Sequence, residues 1–304
     1  MKNKRTPNRT ATRKPVDATT TSRGSRGRQG YRPQRLVSDP RLIPMLLERG
    51  EPIHLLTLLP TLIFLDHLHH HGLPGNACLE AAHSMRVTYT ALGVPVEIKP
   101  VRLEVHGAHG GNAYGSLEPH FTEAGDFAGH CVLRFPTLDR FLDATIGQFP
   151  DVARRDPGPM LGRTAFTLNG EDPGAGPWPA GARLSVSRKD LELRYVAVDP
   201  AHDATLFSGP AAGEDFLRGT LHNGLALLGQ TVATLASDDD AAARARSASI
   251  APHLPVLLDA VAGAEWTPEP GEGDHFTRDG ATIRLRDLVD LTGTGFAHLL
   301  SLCQ

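Results

Sequence analysis

Residues 129–135 and 140–146 read as two short strands. Only Pro136-Thr137-Leu138-Asp139 separates them. A link of four residues rich in turn formers returns the second strand antiparallel to the first. This hairpin limits what can precede it. The segment from Cys78 to Leu92 carries Leu79, Ala82, Met85, Tyr89 and Leu92 at three- and four-residue steps, the period of a helix with one buried face. Leu73-Pro74-Gly75 forms a turn before it, Asn76 is a good N-cap, and Gly93 closes it. Val94, Val96, Ile98, Val101, Leu103 and Val105 then mark an extended segment, in which Pro100 suggests an edge or a bulge. His106 to Gly115 reads as a Gly-rich polar loop, long enough to form a substrate-facing rim.

Downstream, residues 183–198 alternate as a hairpin around Lys189-Asp190. From Glu214, Phe216, Leu217, Leu221, Leu225, Leu228 and Val232 form a helical stripe. Further helices are expected at about 239–262 and 285–302. The fold class is α+β: an antiparallel sheet with the Cys78 helix packed on it, followed by a mostly helical C-terminal portion. Upstream, a helix starts at Asp39-Pro40 and stops at Gly50, and a second, nearly all apolar, runs from about Pro52 to His71.

Charge divides the chain. Of 31 Lys/Arg and 34 Asp/Glu, eleven bases and one acid fall in residues 1–35, leaving an acidic body of 20 bases and 33 acids. Residues 1–36 hold almost no aliphatic side chains, so burial there does not offset the entropy of ordering. We read them as a disordered basic arm, either a contact for nucleic acid or another polyanion or a solubilising tail. Residues 37–200 would be the core and 201–304 the helical C-terminal region. Three cysteines (Cys78, Cys131 and Cys303) at no repeating interval do not make a disulfide scaffold, and suit a reduced, cytoplasmic setting. No membrane segment or secretory signal is expected.

Cys78 opens a helix, His130 begins a strand, and Asp143 lies on the next strand. A thiol attacks only as thiolate, and the first turn of a helix, with unpaired N–H groups and the positive end of the dipole, favours that anion. An imidazole can take its proton, and a carboxylate can hold the imidazole in the needed tautomer. The N–H of Cys78 would donate to an oxyanion, with the side-chain amide of Asn76 or of Gln148 as a second donor. Asp139 is the rival third member, in a turn where Asp is common for backbone reasons. Cys131 should face the opposite side of its strand from His130. His67 and His71, four apart, invite a metal reading. A helix C-terminus before Gly72 accounts for them, since the dipole favours His there, and neither a metal nor a cofactor is expected.

The Cys…His…Asp order resembles the transglutaminase-like branch of the papain-fold cysteine enzymes. Phe141-Leu142-Asp143-Ala144-Thr145 with Gln148-Phe149 is similar to the stretch around that family's Asp. Cys78-Leu79-x-x-Ala82 is similar to the Cys region of the leader-processing proteins of lasso-peptide biosynthesis, and arylamine N-acetyltransferases are a more distant likeness. The resemblance covers residues 75–150. Cys131 and Val132 stand where the family often has an aromatic after the His, and Ala77 where it often has a Trp, departures that bear on substrate preference. The resemblance implies Cys78 as nucleophile, His130 as general base and acid, Asp143 as orienting carboxylate, and a peptide or protein amide as substrate. The alternative expectation is a catalytically inert module of the same fold that binds nucleic acid or protein through residues 1–36. Acyl transfer from a carrier thioester is a third.

Overall fold

The structure is a computed structural model that describes residues 59–64, 77–107, 110–154, 159–171, 177–188, 190–237, 248–267, 275–295 and 298–299. The basic arm, the helix over 39–50, the His67/His71 pair, Asn76 and Cys303 lie outside the described residues. The described residues all fall within one compact unit.

The helix α1 (Cys78–Ala91) has Ala77 rather than Asn76 at its N-cap, without a side-chain capping bond, and ends as expected with Gly93 at φ +79° just beyond it. It leads into β1 (Glu97–Gly107), which with β2 (Gly110–Tyr114) forms a hairpin. The segment expected as a loop over 106–115 is therefore largely paired backbone. The two-residue strands β3 (His120–Phe121) and β4 (Phe127–Ala128) pair with each other. Next come β5 (His130–Phe135) and β6 (Arg140–Asp143), the hairpin anticipated, with the second strand ending at Asp143 rather than at Ile146. A 3-10 turn (Ile146–Gln148) and a one-turn helix α2 (Pro150–Ala153) follow. The strands β7 (Met160–Arg163), β8 (Arg183–Arg188) and β9 (Leu191–Ala197) complete the sheet, in the order β7-β6-β5-β1-β9-β8 with β2 beside β1.

The expectation of an edge or bulge at Pro100 needs correction, because β1 lies inside the sheet. Pro100 is tolerated because the ladder with β9 begins only at Val101; on that flank its carbonyl accepts the Val198 N–H at 3.4 Å, and no ladder bond requires the N–H it lacks. The sheet curls: Thr167, beyond β7, exchanges backbone hydrogen bonds of 2.8 and 2.7 Å with Arg183 at the start of β8. Inside the curl Val101, Leu103, Val132, Phe141, Leu193 and Tyr195 pack together, and Trp178 stacks on Phe166 at 4.0 Å. Alternation along β5 and β6 sends His130, Val132, Phe141 and Asp143 to this inner face, and Cys131, Leu133 and Leu142 to the α1 face. Both faces being covered, every residue of β5 is buried.

Behind α1 lies α3 (Glu214–Ala236). Its buried face centres on Thr220, Gly224, Leu228, Thr231 and Leu235, a rotation from the expected leucine stripe. Close approach sets that rotation. A Cβ on Gly224 would lie 2.5 Å from the Ser84 carbonyl oxygen, and Thr88 donates its hydroxyl to the Gly224 carbonyl at 2.8 Å. The C-terminal region is helical as expected, with α4 (Leu254–Ala260) and α5 (Leu285–Leu291), and also contains an antiparallel sheet of β10 (Glu265–Thr267), β11 (His275–Arg278) and β12 (Ala281–Arg284). It caps α1: His253 donates its backbone N–H to Leu92 and its ring Nδ1–H to Ala91, satisfying carbonyls that the helix end leaves open. Among the described residues, no helix is long and apolar enough to cross a membrane.

Candidate active site

Three elements converge where α1 begins. Cys78 is the first residue of the helix, His130 the first of β5, and Asp143 the last of β6. The Asp143 carboxylate accepts from His130 Nε2 at 2.8 Å through Oδ2, which also accepts the Tyr195 hydroxyl at 3.1 Å. Oδ1 accepts the Thr145 N–H at 3.2 Å. A buried carboxylate with three donors is held in position. With Nε2 committed, Nδ1 is the nitrogen left for the thiol. It has no hydrogen-bond partner, and the Cys78 sulfur is near enough for its charge to act on the ring.

Burial sets the electrostatics. Cys78 is 2% exposed, and His130 and Asp143 are fully enclosed. Enclosure alone would drive the imidazole neutral. The Asp143 charge and hydrogen bond, joined by the Cys78 sulfur, overcome it and raise His130 to about 10. The Cys78 thiol is held well below its ordinary value, first by a hydrogen bond from Cys131 and then, against the cost of burial, by His130. Burial and the Cys78 charge push the Cys131 thiol well up, so it remains a donor. The two shifts run in opposite directions, the thiol down and the imidazole up, which favours a negative sulfur near a positive ring.

Gln148 sits at the junction. Its Oε1 accepts the Ala77 N–H at 3.2 Å and its Nε2 donates to Thr145 Oγ1 at 3.3 Å. It ties the start of α1 to the segment after Asp143 and keeps one amide hydrogen uncommitted. Asp139, the rival acid, lies in the β5–β6 turn at φ +50° and accepts the Thr164 hydroxyl. It takes no part in the cluster.

Aromatic side chains wall the imidazole. Phe149 meets His130 edge-on at 5.0 Å, Tyr114 stacks on Phe149 at 4.2 Å, and the Tyr114 hydroxyl donates to Asp151 at 2.5 Å. The β1–β2 hairpin therefore contributes part of the rim. Gly115, at φ +79°, lets it do so, since a Cβ there would stand 2.8 Å from the His130 nitrogen and 2.9 Å from the Val101 oxygen. Sequence reasoning missed Tyr195, Phe149 and Gly115 as partners. Cys131 does face away from His130, as alternation requires, but that side is where the helix start brings Cys78. No group of three or more metal-ligating side chains occurs among the described residues. Comparison of the chain with protein-family models, curated proteins and solved structures gives no match.

Proposed function

We propose that this chain is a cysteine-dependent acyl-transfer enzyme of the papain and transglutaminase-like kind, hydrolysing an amide through a thioester on Cys78. The supporting observation is an imidazole bonded through Nε2 to a buried, triply hydrogen-bonded aspartate, with its Nδ1 unpartnered and Cys78 opening the helix nearby. In the reaction, the Cys78 sulfur adds to the substrate carbonyl carbon. The developing oxyanion takes the Cys78 N–H, with the uncommitted Gln148 amide hydrogen as second donor. The tetrahedral adduct collapses as His130 Nδ1 gives its proton to the departing amine, leaving an acyl thioester and a neutral imidazole. Water then loses a proton to Nδ1 and attacks the thioester. The carboxylic acid departs and the thiolate–imidazolium pair is restored.

Asp143 holds the ring through Nε2, which leaves Nδ1 for the proton transfers. Because Cys78 is 2% exposed, a peptide reaches it only when surrounding segments move apart, and Tyr114 with Phe149 is one described wall. The test is acylation by an activated ester, followed by intact mass. An acyl adduct on Cys78, absent in Cys78→Ser and slowed in His130→Ala, is the expected result. A folded protein that forms no adduct would instead support the inert binding module.

A further inference from the structure

Cys131 has no part in the acyl-transfer steps, yet its side chain and that of Cys78 line one small cavity between α1 and the sheet. That cavity, about 10 Å³ in volume, is bordered by Ala81, Met85, Leu142 and Thr145 and has room on the order of one water molecule. Both cysteines are unpaired with any disulfide partner. We propose that Cys78 and Cys131 form a peroxide-sensitive dithiol, in which a small hydroperoxide oxidises Cys78 and Cys131 resolves it to a reversible disulfide that shuts the site. This rests on the reading of Cys78 as the nucleophile.

The chemistry balances with the peroxide as oxidant. The Cys78 thiolate attacks one oxygen of hydrogen peroxide, the O–O bond breaks, and hydroxide leaves, giving the sulfenic acid. The Cys131 sulfur then attacks the Cys78 sulfur. The S–O bond breaks, the hydroxyl leaves with the Cys131 proton as water, and an S–S bond of about 2.05 Å forms. The cavity beside the thiols gives the sulfurs room to close. Its size selects the oxidant, so hydrogen peroxide reacts and the bulky glutathione disulfide does not.

The test uses the full chain carrying Cys303→Ser, so that Cys78 and Cys131 are the remaining thiols. Hydrogen peroxide should lower the intact mass by two hydrogens and link the Cys78 and Cys131 peptides, and dithiothreitol should reverse both. Adding Cys131→Ala, or Cys131→Ser if the alanine variant does not fold, should instead leave Cys78 with added oxygens that dithiothreitol does not remove once the sulfinic acid forms. Oxygen addition at Cys78 without the cross-link in the Cys303→Ser protein would overturn the inference, as would no oxidation at all. Ester acylation of the same reduced protein separates the two readings. Acylation without a cross-link removes the dithiol alone, and a cross-link without acylation removes the enzyme alone.

Discussion

At His130 the charge and hydrogen bond of Asp143 oppose burial and raise the imidazole to about 10. Asp143→Asn removes that charge while keeping the shape. The His130 titration, followed by imidazole NMR, should move down from about 10, and the high-pH limb of Cys78 acylation should move with it. A titration left near 10 would contradict the assigned cause. At this scale element boundaries were legible and the surroundings of each side chain were not. Cys78, His130 and Asp143 stand at element boundaries that are legible from periodicity and turns. Tyr195 reads only as an alternating apolar position of β9, since nothing local says that its hydroxyl meets Asp143 across the curl. That Cys78 and Cys131 line one cavity was equally hidden, because strand alternation gives a face but not what sits on it.

Helices α1 and α3 meet through small residues, and the energetics of that contact are testable by a matched pair of substitutions. Gly219 and Gly224 lie on the same helix. A Cβ at Gly219 meets nothing within 4 Å, whereas one at Gly224 would come within 2.5 Å of both the Ser84 oxygen and Val87. Gly219→Ala should stabilise by about 0.5–1 kcal/mol through helix propensity. Gly224→Ala should destabilise by about 1–3 kcal/mol as α3 is forced off α1. Chemical denaturation midpoints measure both, and equal shifts would deny that the glycine sets the helix rotation. The same feature explains why the leucine stripe misled: apolar period locates a helix, but the smallest side chains decided which face approaches α1. Hairpins with short, distinctive turns were readable at 129–143 and 183–197. Strand β7 was not, for its four residues follow a Gly- and Pro-rich stretch and are defined by pairing with β6. The sheet β10–β12 likewise takes its form from the packing of Trp266 against Gly229 on α3.

For the whole molecule, the coupled pair predicts an unusual pH profile of stability. His130 is raised from 6.5 to about 10, so by itself it contributes stability that is full below 6.5 and lost as pH rises through about 10. Cys78 is lowered well below 9.0, so its contribution is full above 9 and lost as pH falls through its folded value. Between about 7 and 9 the folded pair holds one proton, on the imidazole, and the unfolded pair also holds one, on the thiol. These opposing dependences cancel, giving a plateau from this pair. Above 9 the unfolded thiol ionises and stability falls towards pH 10. Cys78→Ser removes the compensating thiol, so the decline should begin nearer 6.5, as measured by the unfolding free energy across pH 6–10. A wild-type profile sloping steadily across 7–9, with no change in Cys78→Ser, would contradict the coupling.

The central claim is that Cys78 rests as a thiolate, and the ultraviolet absorbance of that anion tests it without requiring any reagent to enter the site. The difference spectrum between the native protein and Cys78→Ser, titrated from acid to pH 10, should show one thiolate already present at neutral pH and lost only well below the ordinary thiol value. A thiolate signal that appears only near pH 9 would contradict the account, leaving Cys78 a buried thiol and the His130–Asp143 pair without a nucleophile.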